Sequence, residues 1–424
     1  MGAESWEGRL HAAGAQALYV HVPFCRSKCA YCDFSSWATR ADDPLVAAYA
    51  ASVGRMLAQA EAAGLLEGCR TGYLGGGTPT LMGSAVGGLL ARMAPHCPRE
   101  LSCEANPDSL DDATLAAIAS SGATRVSVGV QSTSDAELAA LGRIHTSAQA
   151  TSALRRAVAA GLDVSCDLMC AIPRQGEKSW RRSLDDVLAA GVGHVSVYPL
   201  QIEEGTAFGR RYAVGDPAFN SEDVQAARMA QAEHALAAAG LHRYEVASYA
   251  RPGKSCAHNR AYWTGVPYLG LGTGASGMLA AEGYAHLRAV APQLPPAPED
   301  AARVRLTVTS GRRQVAAASG LAGLDFDLEF LTEPQAAAED LMLGMRLTEG
   351  VAEGLLAHAR SVLGAGRVDG ALAEAAAEGL AHATPAGGLA PTERGWLLGN
   401  ELFGLMWGLA PGTVASASAR ATGA

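Results

Sequence analysis

The first half of the chain alternates short apolar runs with longer segments whose apolar residues recur at helical spacing. Six runs have the length of strands: ALYVHV, RTGYLGGG, LSCEAN, RVSVGVQS, LDVSCDLM and HVSVYPL. Several are continuously apolar rather than alternating, which is typical of a parallel sheet covered on both faces. The segments between them predict helices. Six strand–helix units in a row predict an α/β fold with a partial, TIM-like (β/α)6 barrel, whose active site lies at the C-terminal strand ends.

The second half of the chain has a different rhythm. A helical segment precedes a predicted strand, RYEVASYA, and the proline-rich residues 292–298 predict a surface loop. A helix near Pro334, an alanine-rich helix, a small hairpin and another helix predict a smaller, mostly helical, winged-helix-like C-terminal domain. The predicted parts are an N-terminal arm, the barrel core, a barrel-closing segment, this C-terminal domain and a disordered tail; their bounds are 1–16, 17–235, 236–324, 325–410 and 411–424.

Composition and charge narrow the function classes. The 424 residues carry 33 basic and 42 acidic side chains, a net charge of −9, which argues against a nucleic-acid-binding protein. No apolar run reaches the roughly 18 residues needed to cross a bilayer. The N-terminus is polar and carries acidic residues, unlike a secretory signal. We therefore expect a cytoplasmic protein without a membrane-spanning segment.

Three of the nine cysteines, Cys25, Cys29 and Cys32, form a C-x3-C-x2-C group directly after the first predicted strand. Three thiolates can hold a cubane cluster and leave its fourth iron open to the amino and carboxylate groups of S-adenosylmethionine. Reduction of such a cluster cleaves the sulfonium bond and yields an adenosyl radical. Tyr31 is placed to lie against the adenine. The alternative is a zinc site, but zinc motifs usually contain C-x2-C pairs, and no second pair is present.

Glycines and polar residues follow the later predicted strands. The segment LGGGTPT, residues 74–80, allows close backbone approach to a ligand, although a tight turn explains it equally well. Glu104 ends the third strand, where a carboxylate can accept hydrogen bonds from both ribose hydroxyls. Cys166 and Cys170 fall on one face of a strand, which predicts burial rather than metal ligation.

In this order the motifs resemble those of the radical S-adenosylmethionine enzymes, in particular the branch of anaerobic coproporphyrinogen III oxidase and the HemW-type haem chaperones. The resemblance runs from Tyr19 to about Trp407 and falls away between Ala281 and about Leu324. It implies a [4Fe–4S] cluster on the three cysteines. It also implies one or two S-adenosylmethionine molecules, bound by Tyr19, Gly76, Gly77, Thr78, Glu104, Gln131, Arg143 and Asp167. For Arg143 and Asp167 the alternative is a structural ion pair.

Two departures separate this chain from the oxidases. The oxidase branch has a fourth cysteine two residues after the third, where this chain has Phe34. The oxidases also carry a longer region before the first strand, whereas 18 residues precede Tyr19 here. Both departures favour the chaperone branch.

The segment CAHNRAYW, which begins at Cys256, resembles an H-N-x-x-Y-W motif that the family associates with haem. A neutral imidazole is a good axial ligand, so the resemblance implies His258 as a haem-binding residue, with Cys256 as a rival. The alternative is structural. In that case His258 and Asn259 form a buried pair that closes the barrel, and Tyr262 and Trp263 belong to the core.

Three functions follow from these patterns. The first is a haem chaperone that binds haem, a [4Fe–4S] cluster and S-adenosylmethionine, receives electrons from a donor, and passes haem to an unidentified acceptor protein. The second is an oxygen-independent coproporphyrinogen III oxidase acting by radical decarboxylation. The third is an interaction protein whose C-terminal domain binds nucleic acid or a partner. We expect the first.

Overall fold

The computed structural model describes residues 12–213, 216 and 221–421, so the predicted N-terminal arm lies mostly outside it. The strands are β1 (Ala17–Val22), β2 (Phe24–Cys25), β3 (Trp37–Ala38), β4 (Thr71–Gly76), β5 (Glu100–Ala105), β6 (Arg125–Gln131), β7 (Asp163–Cys170), β8 (His194–Pro199), β9 (His242–Arg243), β10 (Ser248–Ala250), β11 (Tyr268–Leu271), β12 (Ser276–Ala280), β13 (Ala301–Val308), β14 (Phe326–Thr332), β15 (Ala381–Ala383), β16 (Leu389–Pro391) and β17 (Ala415–Ala419).

The α-helices are α1 (Pro44–Ala62), α2 (Val86–Met93), α3 (Asp112–Ser120), α4 (Asp135–Ala140), α5 (Ser147–Ala159), α6 (Glu177–Ala189), α7 (Ala207–Arg211), α8 (Glu222–Ala238), α9 (Ala257–Trp263), α10 (Ala281–Val290), α11 (Arg312–Ala317), α12 (Glu333–Gly344), α13 (Glu353–Leu363), α14 (Ala365–Ala377), α15 (Glu393–Leu397) and α16 (Gly399–Trp407). Short 3₁₀ helices span Pro79–Ala85, Ala94–His96 and Leu321–Gly323.

The parallel strands form the centre of one sheet, whose order in the described residues is β17-β14-β13-β12-β11-β1-β4-β5-β6-β7-β8-β10-β9. The run β11-β1-β4-β5-β6-β7-β8 is parallel throughout. Its members from β1 to β8 are the six apolar runs of the sequence. Because β9 and β17 lie at opposite ends of this order, the sheet is an open barrel. The predicted partial barrel is confirmed.

Strand β6 shows how one strand serves both the core and the interior of the barrel. All seven of its residues are buried. Val126, Val128 and Val130 pack in the main apolar core, whereas Arg125 and Ser127 line a cavity inside the barrel. Successive side chains of a strand point to opposite faces, so this alternation sends polar groups inward without breaking the core.

Two predicted boundaries in the C-terminal part are wrong. Residues from 325 onward were expected in the C-terminal domain, but β14 pairs with β13 in the main sheet. A disordered tail was expected at 411–424, yet β17 pairs with β14 from Phe326↔Ala419 to Phe330↔Ala415. The small residues of β17 carry no apolar pattern. Backbone hydrogen bonds to the edge of β14 hold this segment, and composition does not reveal such pairing.

A second apolar core lies between Ala337 and Leu409 and is separate from the barrel core. Helices α12, α13, α14 and α16 supply most of it. The hairpin β15-β16, paired from Ala381↔Pro391 to Ala383↔Leu389, lies between α14 and α15. The smaller, mostly helical part of the predicted fold is therefore confirmed. Within the described residues, every helix is too short or too polar to span a membrane.

A buried ion pair joins β13 to α12, and so the sheet to the helical part. Arg303 donates two hydrogen bonds to Asp340, Nη1 to Oδ1 and Nη2 to Oδ2, each 2.6 Å long. The two side chains are 5% and 6% exposed. This two-pronged geometry suits a guanidinium and a carboxylate. Because both charges are shielded from water, each depends on the other for its solvation.

We expect Asp340→Ala to lower the free energy of unfolding by about 3–5 kcal/mol, since it leaves the Arg303 charge buried and unpaired. Chemical denaturation followed by tryptophan fluorescence measures this loss. The matched control is Asp369→Ala, which removes an exposed ion pair with Arg360 (Nε to Oδ1, 2.8 Å). That change should cost less than about 1 kcal/mol. Equal losses in the two variants would contradict the assignment.

Candidate functional site

The predicted cluster cysteines lie in the connection between β1 and α1 and surround one cavity. Cys25 ends β2, and Cys29 and Cys32 follow in the loop. All three are free thiols and line a cavity of about 120 Å³ at the C-terminal end of the strands. Cys25 is buried, while the other two are partly exposed. Within the described residues, no group of three His, Cys, Asp or Glu side chains is close enough together to hold a single metal ion. Thiols spread around a cavity are the donor set of iron–sulfur clusters.

Each of these sulfur atoms has a polar neighbour on another part of the site. Thr78 Oγ1 lies 3.5 Å from Cys25 Sγ, and Arg143 Nη1 lies 3.4 Å from Cys29 Sγ. Cys32 Sγ lies 3.8 Å from Ser36 Oγ. Burial raises the pKa of the Cys25 and Cys32 thiols, so both are protonated in the cluster-free protein at neutral pH.

The loop itself is fixed by a lysine within the motif. Lys28 Nζ donates to the carbonyl oxygens of Phe34 (2.9 Å) and Ser36 (3.2 Å). The short strand β2 also pairs in parallel with β3. The backbone on both sides of Cys29 and Cys32 is therefore held in place, which is the preorganisation that a bound cofactor needs.

The glycine segment packs directly on the cysteine loop. Gly77 N–H donates to the Val22 carbonyl (2.8 Å), and Thr78 N–H donates to the Phe24 carbonyl (2.7 Å). A Cβ on Gly77 would lie 2.7 Å from that Phe24 oxygen, and one on Gly76 would lie 2.5 Å from the His21 ring. Gly76 also has a φ of 110°. Glycine is required at both positions, because a Cβ on Gly77 would clash with the backbone of the cysteine loop, and one on Gly76 would clash with His21 on a backbone of positive φ.

Two partly buried carboxylates lie in the C-terminal halves of β5 and β7, the strands on either side of β6, and line the cavity beside the cysteines. Glu104 accepts a hydrogen bond from Gly76 N–H (2.9 Å), and Ser127 Oγ lies 3.4 and 3.5 Å from the Asp167 oxygens. Burial, and then the charge of Asp167, raise the pKa of Glu104 to about 7. Burial raises the pKa of Asp167 to about 6. A cationic ligand would favour the ionised form of both groups.

Gln131 and Arg143 complete this end of the barrel. Gln131 has a φ of 67°, unusual for a residue with a side chain, at a register shift between β6 and β7. This strained conformation turns it toward the cavity that the cysteines line. Arg143 donates to the Gly129 carbonyl and, over 3.4 Å, to Asn106 Oδ1. In the described residues Arg143 and Asp167 do not form the ion pair that was the structural alternative.

The two tyrosines predicted to contact S-adenosylmethionine differ in their surroundings. Tyr19 is hydrogen-bonded through its hydroxyl to His21 Nδ1 (3.0 Å), and His21 Nε2 is bonded to the Ser35 carbonyl (3.0 Å). Tyr31 packs partly buried against a small apolar cluster containing Leu141 and lines the cavity beside the cysteines. Tyr19 therefore links β1 to the cysteine loop, while Tyr31 covers the cavity.

A larger cavity of about 690 Å³ adjoins the first and extends through the barrel to α9. The two cavities share part of their walls: Tyr31, Cys32, Phe34, Glu104, Ser127, Gln131 and Asp167. Deeper in, the walls combine aromatic rings with small polar groups: Tyr19, Tyr73, Ser165, His194, Ser196, His258, Asn259 and Tyr262. A ligand in the larger cavity would therefore lie beside any group held by the cysteines.

His258 lies at the opposite end of this cavity from the cysteines. Its Nδ1 is hydrogen-bonded to Thr71 Oγ1 (3.2 Å) and its Nε2 to the Tyr262 hydroxyl (3.0 Å). The ring stacks on Tyr73 with centroids 5.3 Å apart. His258 is 1% exposed, and burial lowers its pKa to about 4, so it is neutral. Both ring nitrogens therefore have hydrogen-bond partners. Neither partner is Asn259, with which the structural alternative paired His258.

Cys256 caps the helix that carries His258. Its thiol lies 3.1 Å from Glu100 Oε1, and the same carboxylate accepts the N–H groups of Ala257 (3.0 Å) and His258 (3.1 Å). Arg125 pairs with Glu100 at 3.2 Å. Burial, and then the Glu100 charge, raise the pKa of the thiol. The start of α9 is therefore held by the buried carboxylate of Glu100, whose negative charge is balanced by Arg125.

Comparison with known proteins fixes the family. Residues 19–187 match the Radical SAM superfamily. The Heme chaperone HemW of Mycobacterium tuberculosis (strain ATCC 25618 / H37Rv) is 38% identical over 273 residues, 62% of this chain and 69% of that protein. The Heme chaperone HemW of Bacillus subtilis (strain 168) is 27% identical over 400 residues, 93% of this chain and 99% of that protein. The chain belongs to the HemW family of radical SAM proteins. Membership implies a [4Fe–4S] cluster and S-adenosylmethionine.

The fold of this HemW family member resembles that of a solved radical SAM enzyme. The coproporphyrinogen III oxidase HemN from Escherichia coli superposes with a TM-score of 0.73 at 19% identity, over 96% of this chain and 93% of that one. At this identity the likeness concerns the fold. It agrees with the open barrel and the helical C-terminal part described above.

Sequence reasoning missed several residues that shape the site. Asn106 Nδ2 donates to Thr78 Oγ1 (2.9 Å) and so joins the ends of β4 and β5. Lys28, Ser127 and Tyr73 also contact the cavities or the loop that lines them. Asn106 and Ser127 carry a usable signal, since Asn106 follows Glu104 by two positions and Ser127 precedes Gln131 by four, the even spacing of residues on one face of a strand. Lys28 and Tyr73 do not.

The cofactor-free protein should lose stability as pH rises through the range in which Glu104 titrates. The folded protein keeps this proton up to about pH 7, whereas the unfolded chain loses it near pH 4.5. The stabilisation is therefore complete below about pH 4.5 and is lost by about pH 7. Removing this titration with Glu104→Gln should flatten the decline by on the order of 3 kcal/mol.

Thermal or urea unfolding of both proteins between pH 4.5 and 7.5 measures this difference. Glu378→Gln, at an exposed position in the turn after α14, serves as the control and should follow the wild-type curve. Parallel curves for wild type and Glu104→Gln would show that the carboxyl does not titrate in this range.

Proposed function

We propose that this chain is a haem chaperone that holds a [4Fe–4S] cluster and S-adenosylmethionine and passes haem to an acceptor protein. The observation that carries the proposal is the shared wall between the cysteine-lined cavity and the 690 Å³ cavity. That volume falls within the range of about 300–1,000 Å³ that small-molecule sites occupy. The similarity of the chain to proteins named Heme chaperone HemW supports haem as the second ligand.

Cys25, Cys29 and Cys32 would hold the cluster. Burial raises the pKa of the Cys25 and Cys32 thiols, so loading the cluster releases protons from them and depends on pH. When bound, the cluster and S-adenosylmethionine supply one-electron chemistry at the sulfonium. The protein holds the loop through Lys28 and packs it on the backbone of Gly77. An electron donor has to reach this end of the barrel.

S-adenosylmethionine would lie between the glycine segment and the strand-end carboxylates. Glu104 faces the same cavity as Gly76 and Gly77, where its oxygens can accept ribose hydroxyls. Tyr31 covers this space from the side of the cysteine loop. Asp167 and Arg143 supply one acceptor and one donor opposite. Because Glu104 and Asp167 have pKa values of about 7 and 6, binding of the cation strengthens as pH rises to neutrality.

Haem would occupy the larger cavity, with His258 in a structural role. The hydrogen bonds from His258 to Thr71 and Tyr262 leave neither ring nitrogen free for iron. The same contacts hold α9 across the N-terminal ends of the strands and close the barrel. An oxidase function gains no support of its own, because the likeness to the oxidase HemN is one of fold, and Phe34 stands at the fourth cysteine position.

We expect the Cys25→Ala, Cys29→Ala, Cys32→Ala triple variant to retain no four-iron centre after anaerobic reconstitution. Iron and sulfide analysis and electron paramagnetic resonance of the reduced protein measure the loss. Cys166→Ala is the control, because this thiol is fully buried in β7 away from both cavities and should leave the centre intact. A four-iron centre in the triple variant, or none in the wild type, would refute the cluster assignment.

His258→Ala should lower the free energy of unfolding by about 2–4 kcal/mol, since it removes a packed ring and two buried hydrogen bonds. Haem affinity of the folded variant, measured by Soret absorbance, should stay within about threefold of wild type, since His258 lies at the closed end of the cavity and neither of its ring nitrogens is free for iron. Tyr262→Phe should behave likewise with a smaller loss of stability. Haem binding abolished in a folded His258→Ala variant would instead identify His258 as an iron ligand. Conversion of coproporphyrinogen III to protoporphyrinogen by the wild type would favour the oxidase.

A further inference from the structure

The mouth of the larger cavity carries two aromatic side chains that the fold leaves uncovered. Phe34 is 62% exposed, more than any other large apolar side chain in the described residues, and Tyr198 is 43% exposed. Both line the larger cavity, Phe34 from the cysteine loop and Tyr198 from the end of β8. Exposed apolar surface that rims a cavity is typical of a binding site.

The exposure of Phe34 is built into the loop. Its carbonyl oxygen accepts hydrogen bonds from Lys28 Nζ (2.9 Å) and from Ser36 N–H (2.6 Å). The backbone is therefore fixed while the ring faces solvent. The Tyr198 backbone is held in the parallel pairing of β7 and β8, opposite Met169. Two rings presented on fixed backbones can bind a flat ligand at small entropic cost.

Other exposed aromatic and aliphatic groups do not share this position. Trp37 lies under the Arg312 guanidinium, 5.2 Å from its ring centroid, and so has a partner. Ile144 is 49% exposed but lines neither cavity. The aromatic surface at the cavity mouth is thus confined to Phe34 and Tyr198 among the large apolar side chains that are exposed in the described residues.

We propose that Phe34 and Tyr198 form an aromatic rim that holds the apolar face of a tetrapyrrole macrocycle at the mouth of the barrel. The inference rests on the proposed haem function and specifies which residues hold the ligand. A large planar, mostly apolar ring covers both side chains and gains hydrophobic free energy in proportion to the area it removes from water. The contact needs no bond to iron, and it leaves the ligand near the surface, where an acceptor can take it.

The test uses anaerobically reconstituted, cluster-loaded protein saturated with S-adenosylmethionine. Haem and metal-free protoporphyrin IX are titrated into wild type, Phe34→Ala, Tyr198→Ala and the double variant. Each single variant should bind both porphyrins about fivefold to tenfold more weakly, and the double variant weaker still. Capture by apomyoglobin should show faster haem release. Phe34→Tyr and Tyr198→Phe should bind like wild type, because they keep an aromatic ring.

Ile144→Ala is the matched control and should bind both porphyrins like wild type. Wild-type affinities in Phe34→Ala and Tyr198→Ala would overturn the rim, while haem binding by the wild type would leave the chaperone proposal standing. Loss of haem but not protoporphyrin binding in the variants would also overturn it, since the side chains would then act through iron. So would a weakened affinity for S-adenosylmethionine with unchanged porphyrin binding. No haem binding by the wild type would instead contradict the proposed function itself.

Discussion

The chain segments that follow β1 and β4 are hydrogen-bonded to each other just beyond the C-terminal ends of these strands, and the rest of the site depends on this contact. Gly77 and Thr78 donate to the carbonyls of Val22 and Phe24, so the cysteine loop rests on the glycine segment at hydrogen-bonding distance. The space between them is too small for a Cβ. Every later element builds outward from this contact: Glu104 binds the amide of Gly76, and Asn106 reaches Thr78. A parallel sheet brings successive strand ends to one edge, which makes such a chain of contacts possible.

The electrostatics of the site follow from where the barrel places its carboxylates. Glu104 and Asp167 lie partly buried on β5 and β7, the strands on either side of β6, and burial disfavours their charged forms. A cationic ligand reverses this preference. Without a cationic ligand, Glu104 and Asp167 therefore titrate close to neutral pH. At the other end of the barrel, Glu100 is neutralised by Arg125 and by the first amides of α9, so the charge there is settled within the protein.

The sequence predicts the barrel well because its signals are local. Continuous apolar runs identify β1, β4, β5, β6, β7 and β8, and the spacing of the cysteines identifies the loop. Features that depend on distant partners are harder to predict. Strand β17 is held by backbone pairing to β14, and its sequence of alanines and serines has no strand signal. The hydrogen bond between His258 and Thr71 is equally hard to predict, because the two residues lie 187 positions apart in the chain. A motif shows that a histidine matters, but the partners that occupy its nitrogens come from tertiary structure.

The two ends of the larger cavity have opposite physical character, and this contrast bears on how a carrier could work. At the end closed by α9, Glu100 is paired with Arg125, and His258 is neutral and hydrogen-bonded through both ring nitrogens. The open end has the exposed aromatic side chains of Phe34 and Tyr198 and two carboxyl groups with pKa values of about 6 and 7. A protein that must release its ligand gains nothing from deep, fully bonded burial, because each buried contact slows dissociation. Hydrophobic contact at an open rim binds a flat ring without enclosing it. The contacts of α9 at the closed end hold together the strands whose other ends form the mouth of the barrel.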